Sequence, residues 1–581
     1  MRKTSRIAAA VLAACLAMSA CGQGAPESAP AKESAQAENP ETAGQEEKGA
    51  EEADAAGEAA ADAEAPAGAS MAGAKGQSSE EPAWDGVNRV LSLGRESRYI
   101  DTEDTAFICY GNYDRITADD SHPALRSALE KYNDDLYLQA QIYLDNYKRN
   151  VAELGASGDI DADGFYHTAH NAQLMRADEH ILSFIRWDVE YGLGNGDTTL
   201  LGVNFDPQTG EMLTLSDVVA DRDALCDVVV EKVKELVPRE DFPKTPEALV
   251  RELFAAEDSV STKEFSWAAG YQGMSFLFNT TVNFAYFSRP GGAMEIFVPY
   301  REYPELFSDF CTDVPEQYAC DFILSDGTAG DIWIDADGDG TLEEMVGILD
   351  ENEYGGYKGL TLMRGQESWE FPFEYECYYA FGTVAHLGEG KDFLCLEQME
   401  DDYGWNLVYR LNQTPEYMGE FDGDVEFTSY AVNIDDYEDY DDIAGKDRRA
   451  YMFTDPSNLV LRHPTLLLGS GSLMRTWRLG DAGLPGALEY GYAYTSVREM
   501  TAKKKMTADE VNDAGDVIGT VDIAKGTKLT LLWTDNESLV DMKTPEGKRC
   551  RFTVTSSEEE YQQYIGDELT DDLFDGIIYA N

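Results

Sequence analysis

Asp335, Asp337 and Asp339 alternate through the stretch GDIWIDADGDGTLEEMVGI (Gly330 to Ile348), with Gly338 and Gly340 beside them and Glu343 and Glu344 close behind. Alternate carboxylates on a chain that turns sharply at glycine point their oxygens inward. A calcium ion takes roughly six to eight such oxygens in a flexible cage. Thr341 would add its carbonyl, and Glu343 or Glu344 a side chain. Val346 stands where a helix–loop–helix calcium site carries its bidentate Glu, and both flanks read as strands. The pattern therefore predicts a structural calcium loop between strands, one that relieves repulsion and pins the turn without doing catalysis; the alternative is a solvated acidic turn. A weaker copy, GDIDADGFYHTAH, offers Asp159, Asp161 and Asp163 as metal candidates with no Glu at a useful distance. His167 and His170 beside it read as exposed loop histidines.

Other chemistry finds less support. A metal-dependent polysaccharide deacetylase needs a His-x-x-x-His ligand pair, and the chain's 6 histidines show no such spacing. LGSGSLM does not match the Gly-x-Ser-x-Gly turn of a serine hydrolase. No phosphate loop or dinucleotide fingerprint is present. Glycosidase carboxylate pairs cannot be singled out, because 110 acidic residues make any pairing easy to find. No catalytic residue is named, and the chain reads as non-enzymatic.

Residues 1–20 have the form of a secretory signal: Arg2, Lys3 and Arg6, then the apolar run Ile7 to Met18, then Ser19 and Ala20. The ending MSAC has the form of a bacterial lipobox, which implies lipid attachment at Cys21 and a membrane anchor on the extracytoplasmic side. Residues 21–83 are almost entirely Ala, Glu, Gly, Pro and Ser, too poor in apolar surface to fold, and read as an acidic disordered stalk. The chain carries 45 Lys and Arg against 110 Asp and Glu, a formal net charge of −65. Such a field disfavours nucleic acid and attracts cationic partners and divalent metals. Seven cysteines remain past Cys21, dispersed and without a CxxC pair, so a zinc knuckle is not indicated. Export permits disulfides. Cys311 with Cys320, and Cys377 with Cys395, are the expected pairs from their closeness in sequence.

These features need elements to hold them. HPALRSALEKYNDDLYLQAQIYLDNYKRNVAEL repeats apolar residues at spacings of three and four and predicts a long helix, capped at Ser121 or His122 with Pro123 in its first turn. HILSFIRWDVEY and TLLGVNF read as strands joined by a Gly-rich turn. Two helices follow, near Asp221 and from Thr245, and then strands around MSFLFN and MEIFVPY. Residues 84–312 thus read as an α+β module, an antiparallel sheet with helices. Residues 313–490 read as a mostly-β half with a propeller-like character but no sequence repeat. Residues 491–581 resemble a small SH3-like barrel. The fold class expected for the whole is α+β.

Ile181 to Val219 and Met274 to Tyr303 together resemble the two halves of a bacterial envelope module. It is found in the extracellular part of the lysozyme-sensing anti-sigma factor RsiV and beside the catalytic domain of a peptidoglycan deacetylase. The matching residues are Phe184, Asn204, Phe205, Asp206, Gly210, Leu213, Leu215, Phe276, Phe278, Gly292, Ile296, Val298, Pro299 and Tyr300. Most of these are turn and core positions, which report fold more than activity. The family's Gly-Gly-Ala-His run is replaced here by GLGNGDT, with no histidine. The resemblance implies a lipid-anchored binding protein of the cell envelope whose ligand is peptidoglycan glycan or lysozyme. Two other readings stay open: a wall hydrolase with an unrecognised acidic site, and a calcium-stabilised structural or adhesive surface protein.

Overall fold

Apolar residues recur along Pro123–Ser157 at helical spacing, and the structure forms one long helix there. The chain is described by a computed structural model over residues 88–104, 107–157, 165–192, 195–236, 246–256, 265–279, 293–323, 330–352, 356–400, 403–424, 432–433, 452–557 and 562–579. The His122 carbonyl accepts the amide of Arg126 at 2.9 Å, which makes His122 the residue that opens the helix. Leu125, Leu129, Leu136, Ala140 and Leu144 are buried along one side. Asn133 reaches from the helix to both the amide and the carbonyl of Ile116, at 3.3 and 2.9 Å, and so pins it to a strand.

That strand belongs to a six-stranded sheet in which Leu93–Asp104, Phe107–Ala118, Phe165–Ala177, Leu182–Gly192 and Asn195–Phe205 lie side by side, with Val432–Asn433 at one edge. Strict alternation assigns its two faces. Phe184, Val203 and Phe205 pack under the helix with Leu125 and Leu129. Ile185 and Leu200 point the other way and meet Ala268 and Leu277. The latter two come from a three-stranded sheet built of Phe265–Ala269, Gly273–Asn279 and Ala293–Pro299. The two sheets approach so closely at Gly202 that an added Cβ would lie 1.8 Å from the Trp267 carbonyl oxygen. Glycine is required there because backbone faces backbone. On its outer face the three-stranded sheet buries Phe276, Ile296 and Val298 against the helices Arg222–Leu236 and Pro246–Ala256.

The next layers are two sheets packed face to face. A four-stranded sheet (Gly330–Ile334, Glu343–Glu351, Tyr357–Arg364, Glu367–Cys377) covers a five-stranded one (Tyr318–Ile323, Tyr379–His386, Asp392–Glu400, Tyr403–Arg410, Glu416–Asp422). Leu360, Leu362, Leu394, Leu396 and Tyr409 fill the space between them. This is a β-sandwich, where a propeller-like sheet was expected. On its far face the five-stranded sheet buries Phe393, Cys395 and Val408 against Leu459, Leu461 and Leu479. From there the chain enters a large antiparallel sheet that carries the C-terminal core of Leu473, Leu529, Val540, Phe552 and their neighbours.

The α+β assignment does not hold. Strands dominate and are arranged in five sheets among the described residues, with helices confined to a few flanking positions. The strands Leu93–Asp104, Phe107–Ala118 and Phe165–Ala177, which the sequence patterns did not bring out, tip the balance. The expected disulfides are also not formed. Cys311 and Cys320 are free buried thiols, the first in the core under the helix Arg222–Leu236 and the second in the strand Tyr318–Ile323. Cys377 faces the sandwich core and the free thiol Cys395 faces the opposite side of the five-stranded sheet, so a sheet separates them.

One buried ion pair ties the first layers together. Arg176 is 0% exposed; its Nε donates to Asp178 at 2.7 Å, and its other nitrogens donate to the carbonyls of Cys311, Phe310 and Asp313 at 2.5, 3.2 and 2.9 Å. Arg176→Met would leave Asp178 buried with its partner gone, at a cost of about 3–5 kcal/mol. Urea unfolding checks this as a lower midpoint at unchanged slope, and a midpoint equal to wild type would contradict the role assigned to the pair.

Candidate functional site

The Asp-rich stretch is a hairpin loop. Ile334 pairs with Glu343 at its base, and Gly338 and Gly340 take positive φ of 77° and 91°, which lets the chain reverse. Asp335 Oδ2 accepts the amide of Gly340 at 3.0 Å, Asp337 accepts that of Asp339 at 3.1 Å, and Asp339 accepts that of Thr341 at 2.7 Å. The last contact holds the Asp339 carboxyl below its usual range. Glu343 accepts the amide of Ala336 at 2.9 Å. Burial, with Asp337 and Asp339 adding like charge, nevertheless pushes the Glu343 carboxyl up.

Oxygens of Asp335, Asp337 and Glu343 all lie within 4.8 Å of one another, close enough to share one cation. Asp335 Oδ1 is buried without a hydrogen-bond partner. Of the six residues nominated from sequence, these three converge. Asp339 is engaged with Thr341, and Glu344 pairs across the hairpin with Trp333, on the face opposite to Glu343. Arg301 was not foreseen. Its guanidinium donates to Asp335 Oδ2 at 3.2 Å and to the Gly340 carbonyl at 2.7 Å, so the loop already holds one internal cation.

Beside the loop the three-, four- and five-stranded sheets meet. Asp335, Arg301, His386, Glu389 and Asp392 line one small cavity there. His386 Nδ1 lies 2.7 Å from Asp392, which fixes the imidazole's orientation. The ring stacks on Tyr318 with centroids 4.7 Å apart, and Tyr318 stacks on Tyr271 at 3.8 Å. The Tyr271 ring in turn lies 5.8 Å from the Arg176 guanidinium. A ladder of flat groups thus runs from the five-stranded sheet back to the six-stranded one. A carboxylate-oriented imidazole is the arrangement of a general base, yet the hydrogen bond His386 makes is to Asp392 and to no hydroxyl or thiol among the described residues.

A second cavity adjoins the first and is lined by Ser275, Glu295, Phe297, Asp331 and Trp333, among others. The two cavities have volumes of about 50 and 40 Å³, room for a few waters each at roughly 10–15 Å³ per water.

His170 was read as an exposed loop residue and is instead buried in the strand Phe165–Ala177, with Nδ1 2.7 Å from Asp188. The weaker metal candidates Asp159, Asp161 and Asp163 lie outside the described residues, as do the signal segment, Cys21, the stalk and Gly292 of the envelope-module pattern. Arg301, His386, Asp392, Glu295 and Asp331 were not nominated, because each draws its significance from a partner on another sheet.

No family model and no curated protein matches the chain. Among solved structures it is similar to a DUF3298-family protein of Bacteroides fragilis, with 17% identity over 38% of this chain and 96% of that one and a TM-score of 0.28. It is also similar to a DUF3298-family protein of Pseudomonas aeruginosa, with 12% identity over 39% of this chain and 98% of that one and a TM-score of 0.26. Likenesses this slight carry no weight in the functional reading.

If Asp335, Asp337 and Glu343 share a calcium ion, the ion stabilises the folded chain by about 2.7 kcal/mol at a hundredfold excess over Kd. Thermal unfolding with calcium, against chelator, should then show a higher Tm for wild type and no shift for Asp337→Asn. Equal melting of wild type in both conditions would leave an ordinary acidic turn.

Proposed function

We propose that the chain is a lipid-anchored, extracytoplasmic binding protein of the bacterial envelope. Its ligand in this reading is lysozyme or a wall glycan. The observation that carries the proposal is the imbalance of 110 acidic against 45 basic residues in a chain that opens with a signal-like segment ending in Cys21. A field of that sign draws a cationic protein into productive encounter and raises its on-rate. The described residues contain no helix long and apolar enough to cross a membrane. The sequence resemblance of Ile181 to Val219 and Met274 to Tyr303 to the lysozyme-sensing module favours lysozyme over an arbitrary cation.

A second reading, a surface protein held rigid by calcium, draws on the convergence of Asp335, Asp337 and Glu343. The two part company in one experiment. Calorimetric titration of the chain with lysozyme, at physiological salt and with calcium present, should give saturable heat. Loss of all heat as salt rises to that level would leave only screened charge attraction and would favour the structural reading.

A further inference from the structure

The strand Ala293–Pro299 turns Met294, Ile296 and Val298 into the helix-covered core, so Glu295 and Phe297 point the opposite way. Across the seam, Gly330–Ile334 turns Ile332 and Ile334 toward the sandwich core, so Asp331 and Trp333 point back. The two outward pairs meet. Phe297 and Trp333 stack with centroids 4.8 Å apart and planes 10° from parallel. Glu295 and Asp331, two residues back along each strand from the stack, both line the same small cavity.

We propose that Glu295 and Asp331 form a proton-operated latch between the three-stranded and four-stranded sheets, closed while the pair retains a proton and loosened when both are ionised.

Ionising both carboxylates would set two like charges against each other in a half-buried site. The nearby Ser275 hydroxyl favours the ionised form of Glu295 and offsets part of this. Glu344, from the neighbouring strand, faces the pair with a further negative charge. Asp321 and Asp392 line the cavity as well, but each is already matched, by Arg95 at 2.5 Å and by His386 at 2.7 Å. Tyr271, Tyr318 and Cys320 are held protonated by burial. No lysine or arginine among the described residues relieves Glu295 or Asp331. Burial, then repulsion from Asp331, pushes the Glu295 carboxyl up to about 8. Burial pushes Asp331 up to about 6. Both groups therefore favour the folded seam below the ordinary carboxylate range, and that contribution is lost as pH rises through about 6 for Asp331 and about 8 for Glu295.

The latch differs from the hairpin loop next to it. There the carboxylates have backbone amides and Arg301 as partners; here Glu295 feels the like charge of Asp331 and no cation offsets it. Opening would separate Phe297 from Trp333 and expose both rings, so an alkaline shift would be read out at the joint between the envelope-like module and the sandwich.

Hydrogen exchange of the full chain, at about pH 6 and about pH 9 and corrected for intrinsic rates, tests the latch. Peptides over 293–299 and 330–334 should exchange up to about a hundredfold faster at the higher pH, the change that about two units of linked proton affinity between pH 6 and 8 confer. Peptides over the sandwich strand Asp392–Glu400 should not. Glu295→Gln and Asp331→Asn should each flatten the profile. Infrared difference spectra of wild type supply a readout that needs no variant: a protonated-carboxyl band present at neutral pH and gone at the alkaline end. A flat wild-type exchange profile, a folded variant that keeps the wild-type dependence, or absence of that band would each overturn the proposal.

Discussion

A guanidinium with no access to solvent sits where the first three layers meet, and most of the architecture follows from satisfying it. Arg176 must find acceptors for every donor it carries into the interior, because an unpaired buried charge costs several times what a pair contributes. Asp178 supplies one, and the turn over Phe310 to Asp313 supplies the rest through its carbonyls. That requirement fixes the turn over Phe310 to Asp313 against the six-stranded sheet. It also places Tyr271 beside the guanidinium, from which the stacked rings of Tyr318 and His386 carry the alignment into the sandwich. The segment at 452–454 returns from far along the chain to seal the same region: Met452 donates to the Leu93 carbonyl at 2.9 Å, and the Thr454 hydroxyl donates to that of Leu91 at 2.6 Å.

So acidic a chain must place its carboxylates with care, and the structure uses several distinct solutions. Asp178, Asp321 and Asp541 are buried against arginine, Asp541 taking both Arg549 and Arg551. Asp188 and Asp392 are set against histidine. Asp535 accepts three successive backbone amides, those of Glu537, Ser538 and Leu539. Among the described residues, two groups along the seam bring carboxylates together in another way. The hairpin loop around Asp335 is bridged by Arg301 and offers oxygens to a cation. The Glu295–Asp331 pair has no such relief. Both lie along the seam where three sheets converge, so charge there acts on how the layers are joined.

Local signals were legible where one segment settles its own structure. The helical period of Pro123–Ser157, the strands on either side of GLGNGD, and the alternation of Asp335, Asp337 and Asp339 with glycines all appear where the sequence places them. Legibility failed where a partner distant in sequence decides. Leu93–Asp104 and Phe107–Ala118 are strands because each finds the other and then Phe165–Ala177, and their charged composition hides this. His170 reads as a loop residue until Asp188 is seen across the strand pair. Cys377 and Cys395 are near in sequence but lie on opposite sides of one sheet, a separation no spacing reveals. Glu344 is one residue from Glu343 and yet points to the other face, because strand alternation overrides proximity.

In the function proposed above, this anionic chain recognises a particular cationic partner, beyond attracting positive charge. Competition on the immobilised full chain addresses it most directly, with lysozyme set against a cationic protein of similar size and charge at physiological salt. The account predicts that lysozyme stays bound while the matched control is displaced by the ions alone. Displacement of both at the same ionic strength would contradict it.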